Sequence, residues 1–172
     1  RLEVGAADGA LCILPPSGLK AWWTMDASPI ADIVGGNDPD ATEGVNFTSG
    51  YVDGGIKLDQ PESNTSGGSG FVDIAHSEDL ANSTFTIDAW VKPEGPGPNP
   101  DQYGSTIIQH VTGGTTAAAG LWYDATDGKF VTIVGSISGD AVYSGSGFYP
   151  DQFYHVAATF DGTSLKLYVN GG

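Results

Sequence analysis

The sequence predicts an all-β sandwich of antiparallel strands, and composition, periodicity and one hairpin carry that expectation. Gly is the commonest residue type at 26 of 172, while Lys and Arg together number only 6. No stretch sustains a helical period, whereas short alternating runs recur between turn-rich segments, the pattern of strands joined by tight reversals. The clearest run is Phe153 to Gly171. Tyr154, Val156, Ala158 and Phe160 alternate in one arm, and Leu165, Leu167 and Val169 in the other. Between them Asp161-Gly162-Thr163-Ser164 supplies an Asp that bonds its own backbone and a Gly that accepts positive φ, so a two-faced hairpin follows.

At 172 residues the chain is long enough for one domain with a sizeable core. A formal net charge of −15 repels nucleic acid phosphates and anionic lipid and suits a soluble protein that holds cations. Nucleic acid partners are therefore excluded from the expectation. Membrane insertion is excluded as well, since no apolar run reaches bilayer-spanning length. Cys12 is alone, which rules out an intrachain disulfide and reads as a buried, inert thiol.

Residues 1–16 read as an extension. Gly9-Ala10-Leu11-Cys12-Ile13-Leu14 is a short apolar run of strand character, closed by Pro15-Pro16, a pair that holds the chain extended. Residues 17–172 form the domain. Leu19 to Asp26 alternates Leu19, Ala21, Trp23 and Met25 against Lys20, Trp22, Thr24 and Asp26, and is expected to be its first strand. A carboxylate-rich polar loop then runs from Asp26 to Glu43. Hard cations take oxygen ligands from such loops, so calcium is the cofactor expected, with Asp26, Asp32 and Asp38 as candidate ligands and Asp26 foremost. Asp32 to Glu43 has the length of an EF-hand loop, but Val34 and Gly36 stand where side-chain oxygens are required and Asn37 where its Gly belongs.

Val45 to Phe47, Ile56 to Asp59 and Phe71 to Ala75 are short strand candidates, and the polar tract Gln60 to Gly70 is expected to be a mobile loop. Phe85 to Lys92 turns Phe85, Ile87, Ala89 and Val91 to one face and Thr86, Asp88, Trp90 and Lys92 to the other. Pro93 to Pro100 ends that strand. Thr106 to Val111, Leu121 to Tyr123, Phe130 to Val134 and Ala141 to Tyr143 complete the set, with turns at Asp127-Gly128 and Ser138-Gly139-Asp140. Short strands at such spacing point to a sandwich.

With the strands placed, the blocks PPSGLKAWW (15–23), YVDGGIKLD (51–59), FTIDAWVKP (85–93), HVAATFDG (155–162) and LYVNG (167–171) resemble, in this order, the laminin G-like jelly rolls of the concanavalin A-like lectin and glucanase superfamily. The resemblance covers about residues 17 to 172. It implies two curved antiparallel sheets, calcium sites, and an extracellular or cell-surface protein in which the domain binds a glycan, binds a cell-surface protein or serves as a spacer. Such domains continue beyond the Tyr-Val-Asn-Gly hairpin with closing strands that pair beside the first one. This sequence stops at Gly172, so those strands are expected to be missing.

The superfamily also contains glycoside hydrolases, whose chemistry needs two carboxylates across the scissile bond. Those hydrolases place two Glu about an Asp at alternating positions of one strand. Here Asp88 has Thr86 and Trp90 as same-face neighbours, so a non-catalytic module is expected. His76, His110 and His155 are scattered in the sequence, and no Gly-x-Ser-x-Gly elbow is present. Carbohydrate recognition needs an aromatic face with polar groups beside it. Trp90 and Asp88 share a strand face, and Tyr103 and Trp122 read as loop aromatics, which makes these the candidate ligand-binding residues. Asn46, Asn64 and Asn82 begin Asn-x-Ser/Thr sequons. The alternative expectation is a filament subunit, in which residues 9–14 add as a strand to a neighbouring copy.

Overall fold

The computed structural model describes residues 3–4, 11–12, 15–58, 70–94, 105–111, 117–135 and 140–172. Its strands are β1 (Glu3–Val4), β2 (Leu11–Cys12), β3 (Ala41–Glu43), β4 (Val45–Ser49), β5 (Gly54–Leu58), β6 (Phe71–Asp73), β7 (Phe85–Val91), β8 (Ser105–Val111), β9 (Ala117–Asp124), β10 (Lys129–Val134), β11 (Asp140–Tyr143), β12 (Tyr154–Phe160) and β13 (Leu165–Val169). The strand pairings are antiparallel, and the described residues contain no helix. The fold is all-β, as the alternation predicts.

Two sheets form the sandwich, one ordered β11-β10-β9-β8 and the other β13-β12-β7. Leu121, Tyr123, Phe130, Tyr154, Val156 and Ala158 are buried between them, with Ile87, Val91, Leu167 and Val169 packed against the cluster. The inward faces are those the alternation assigns: Tyr154, Val156 and Ala158 on β12, Ile87 and Val91 on β7. Phe130 is fully buried and meets Tyr123, Phe148 and Tyr154 at 5.3, 5.4 and 5.6 Å between ring centroids, in tilted or edge-on geometries. Burying such a ring stabilises the fold by about 3 kcal/mol, so this cluster fixes how the sheets register. Tyr154 also anchors the loop before β12: the Tyr149 N–H donates to its Oη at 2.9 Å, and its hydroxyl donates to the Tyr149 carbonyl at 3.1 Å.

β10 is buried on both faces. Phe130 and Thr132 turn inward, while Val131 and Ile133 join Trp122 in a second buried cluster with Ala141 packed against it. The Trp122 ring lies over Gly120, where an added Cβ would collide with it. Trp122 is therefore a buried residue of β9 rather than a loop aromatic. An eight-residue strand buried on both sides has no polar-apolar alternation to reveal which face a Trp takes.

The segment expected as the first strand departs from prediction. Leu19 to Asp26 makes one isolated bridge, Trp23 to Asp32. The Trp22 N–H that a ladder would use donates to Asp32 Oδ1 at 2.8 Å, and Met25 at φ 61° turns the backbone out of an extended path. Conversely, the stretch read as an acidic loop contains β3, which pairs with β6 through Ala41–Asp73, Thr42–Val72 and Glu43–Phe71. The apolar run near the start contributes β2, which pairs with β1 through Val4–Leu11 and Glu3–Cys12. Tyr103, Asn64, most of the polar tract 60–70, the loop 95–100 and the 138–139 part of the expected turn lie outside the described residues.

Candidate functional site

Antiparallel register builds the site. Trp90 on β7 stands opposite His155 on β12, and Asp88 opposite Ala157. Because alternate residues share a face, Trp90, Asp88 and His155 all project from the outer side of the sheet. His155 Nε2 lies 3.1 Å from Asp88 Oδ2, a diagonal pair across the two strands. The hairpin adds Asn170 just past β13, at φ 54°. Its N–H donates to the His155 carbonyl at 2.8 Å and its Oδ1 accepts the His155 N–H at 3.0 Å. That second bond fixes the amide: with Oδ1 held by the backbone, Nδ2 is the group left to face outward.

The fourth contributor comes from far away in the chain. The turn between β4 and β5 brings Tyr51 onto Trp90, with ring centroids 3.7 Å apart and planes 15° from parallel. Phe153 meets Tyr51 edge-on at 5.8 Å, and Trp90 lies 5.1 Å from His155. Backbone contact sets this turn. The Gly50 N–H donates to the Asp53 carbonyl at 2.9 Å, the Gly54 N–H donates to Asp26 Oδ1 at 3.0 Å, and a Cβ on Gly54 would stand 2.7 Å from the Asp26 Cα. Only Gly permits that approach.

The product is an open groove of about 530 Å³ lined by Tyr51, Trp90, Phe153, His155, Asn170 and Gly171. Tyr51 is 57% and Trp90 45% exposed, unusual for large rings on a sheet that has a core to bury them. Lys92 Nζ sits 5.6 Å from the Phe153 ring centre and 4.0 Å from Glu94, which is also ion-paired with Lys57.

A second carboxylate site, around Asp32, has the opposite character. Asp32 is buried; its Oδ1 accepts the N–H groups of Trp22, Val34 and Gly35 at 2.8, 3.0 and 3.1 Å, and its Oδ2 accepts Asn37 N–H and Nδ2, both at 3.0 Å. Burial alone would push this carboxyl up. The donated bonds from Trp22, Asn37, Gly35 and the Asn37 amide outweigh it and hold the pKa well below the usual carboxylate range. The Asp32 N–H in turn donates to Asp38 Oδ1 at 2.8 Å, and Trp23 Nε1 to the Asn37 carbonyl at 2.8 Å.

These contacts tie two of the three candidate calcium ligands, Asp32 and Asp38, into a hydrogen-bonded loop. Every acceptor position of Asp32 is filled by an N–H group, which leaves it nothing to offer a cation, and one oxygen of Asp38 is committed to the same loop. Among the described residues no group of three or more His, Cys, Asp or Glu side chains could hold a metal ion. Asp26 is exposed and uses one oxygen on Gly54.

Of the candidate ligand-binding residues, Trp90 and Asp88 come together and Trp122 is excluded by burial in the other sheet. Tyr51, Phe153, His155 and Asn170 are functional candidates that sequence reasoning missed. The hairpin register carried the signal for His155 and Asn170, since the outward face of β12 has to meet the outward face of β7. His76 and His110, distant in sequence, stack with centroids 5.9 Å apart and planes 10° from parallel, and the buried His110 Nε2 has no hydrogen-bond partner among the described residues.

The family model described as the concanavalin A-like lectin/glucanases superfamily, of laminin G type, matches residues 66–172. The chain belongs to this superfamily. A search of curated proteins and a search of solved structures each return no match. The superfamily match takes in β7, β12 and β13, and hence Trp90, Asp88, His155 and Asn170, whereas Tyr51 and the Asp32 loop lie before it. Asp88 keeps Thr86 and Trp90 as its outward neighbours on β7, not the glutamates of the superfamily's hydrolases.

Proposed function

We propose that this chain is a non-catalytic carbohydrate-binding module of an extracellular or cell-surface protein, with the Tyr51–Trp90 groove as its binding face. One observation carries the reading: two large aromatic rings are stacked in the open at 3.7 Å beside an ordered carboxylate and amide. An isolated sheet gains nothing from exposing such rings, and a pyranose offers a C–H face to cover them and hydroxyls for the polar rim. Membership of the superfamily supports the reading, since its laminin G-like domains are generally non-catalytic and typically extracellular. No helix among the described residues is long and apolar enough to cross a membrane. The test is titration of immobilised oligosaccharides with the wild-type chain, Tyr51→Ala and Trp90→Ala. Binding that persists unchanged in both variants would move the site elsewhere.

Calcium enters this reading through Asp26 foremost and Asp38 beside it, the two candidate acids that are exposed and give one oxygen each to a backbone N–H, of Gly54 and of Asp32. Calorimetry on chelator-treated protein decides it, with Asp26→Ala as the control.

A second reading, a subunit assembled by strand exchange between copies, is favoured by Leu19 to Asp26. That segment makes one bridge and leaves Trp22 41% exposed; since Asp32 and Ile33 take the Trp22 N–H and carbonyl and Leu11–Cys12 pairs with Glu3–Val4 within the chain, exchange would require the 9–14 run of another copy to leave β1 and cover the exposed ring. Sizing the chain before and after removal of residues 1–14 separates this from the monomeric module: loss of a larger species on deletion supports exchange, and an unchanged monomer rejects it.

A further inference from the structure

We propose that the groove takes an uncharged glycan and rejects sulfated and uronic-acid glycans. This inference rests on the carbohydrate-binding reading and names its ligand class. Three features of the groove point the same way.

The stacking surface is neutral, made of Tyr51 against Trp90 with Phe153 at its edge. Such a surface favours the C–H face of a pyranose and gives no advantage to a sulfate or carboxylate. The polar rim asks for hydroxyls. Asp88 stands next to the groove, its Oδ2 beside the lining residue His155, and its exposed carboxylate takes donors only, while Asn170, which lines the groove, presents an amide donor fixed by its bond to the His155 N–H. A hydroxyl answers both, as donor to one and acceptor from the other. An anionic group answers only the second, and places like charges together at Asp88.

The local cations are the third feature. Lys92, beside Phe153, has Glu94 within 4.0 Å, and Glu94 also pairs with Lys57. An incoming anion would have to displace that carboxylate, in a protein whose formal net charge is −15 with only 6 Lys and Arg. Anionic chains are repelled at a distance, and the Lys beside Phe153 is already shared with Glu94.

The experiment is a paired titration of the full chain, with cellohexaose, mannohexaose and xylohexaose as neutral probes and heparin hexasaccharide and trigalacturonate as anionic ones. Each is measured at low and high salt and repeated with Tyr51→Ala. The expected result is binding of at least one neutral probe, weakened about tenfold or more by Tyr51→Ala and changed less than about twofold by salt, because screening acts on charge and not on stacking. Anionic probes are expected to bind at least about a hundredfold more weakly than the best neutral one, the scale set by a like-charge contact. Tyr51-dependent binding of heparin or galacturonate at comparable strength overturns the inference while leaving the carbohydrate site in place. If no probe of either class binds, the carbohydrate reading falls, and the inference with it.

Discussion

Two carboxylates, Asp32 and Asp88, sit in the same domain and do opposite work. Asp32 is buried and accepts five N–H bonds, so its charge is consumed inside the protein, where it ties Trp22, Val34, Gly35 and Asn37 into one loop. Asp88 is exposed and has one oxygen on His155, a residue that lines the groove with the stacked aromatic rings. The lesson is that acceptor positions already filled distinguish a structural acid from an available one, and that acidic density in the sequence does not. The loop from Asp26 to Glu43 has the density; the strand around Asp88 has the vacancy.

The same contrast holds for two tryptophans, and it predicts the largest effect. Trp122 is buried over Gly120 with Val131 and Ile133, so Trp122→Ala is expected to cost about 3–5 kcal/mol, read as a lowered denaturant midpoint. Trp90→Ala, at an exposed position, is expected to cost under about 1 kcal/mol. Equal losses would break the comparison.

Next in size is Asp32→Ala, which strands several N–H donors at once and is expected to cost about 3 kcal/mol. Its pH signature sharpens the assignment. The folded pKa lies below the unfolded one, about 3.9. A depressed carboxyl contributes stability that is fully present above the unfolded value and is lost as pH falls toward the folded one. Wild type should therefore weaken steadily on acidification below about pH 4. Asp32→Asn should flatten that slope. Parallel acid-unfolding curves for the two proteins would remove Asp32 from its role.

What the sequence made legible follows from where physics is local. The inward faces of β7 and β12 were readable because one face meets the core and the other does not, so Ile87 and Val156 alternate with Asp88 and His155. Leu19 to Asp26 alternates as well, but a side-chain oxygen ten residues away takes the Trp22 N–H, and periodicity is blind to that competition. Trp122 reads as a loop aromatic because its strand buries Leu121 and Tyr123 on one face and Trp122 on the other, which leaves no alternation to place it. Tyr51 escaped notice since its position depends on Gly54 closing against Asp26, a contact between distant segments.

The smallest stability effect tests the finest part of the comparison. Glu94 is about half exposed and shared by Lys57 and Lys92, and exposed ion pairs contribute little, so Glu94→Gln is expected to shift stability by less than about 1 kcal/mol. Its effect on recognition should be larger. Removing the carboxylate relieves Lys92 of its shared partner next to Phe153 and takes one negative charge from the rim. Heparin hexasaccharide should then bind measurably better than to wild type, and that gain should vanish at high salt, while neutral probes keep their affinity. If Glu94→Gln leaves the preference for neutral over anionic probes untouched, selectivity comes from Asp88 itself, and Asp88→Asn becomes the variant in which anionic probes should gain.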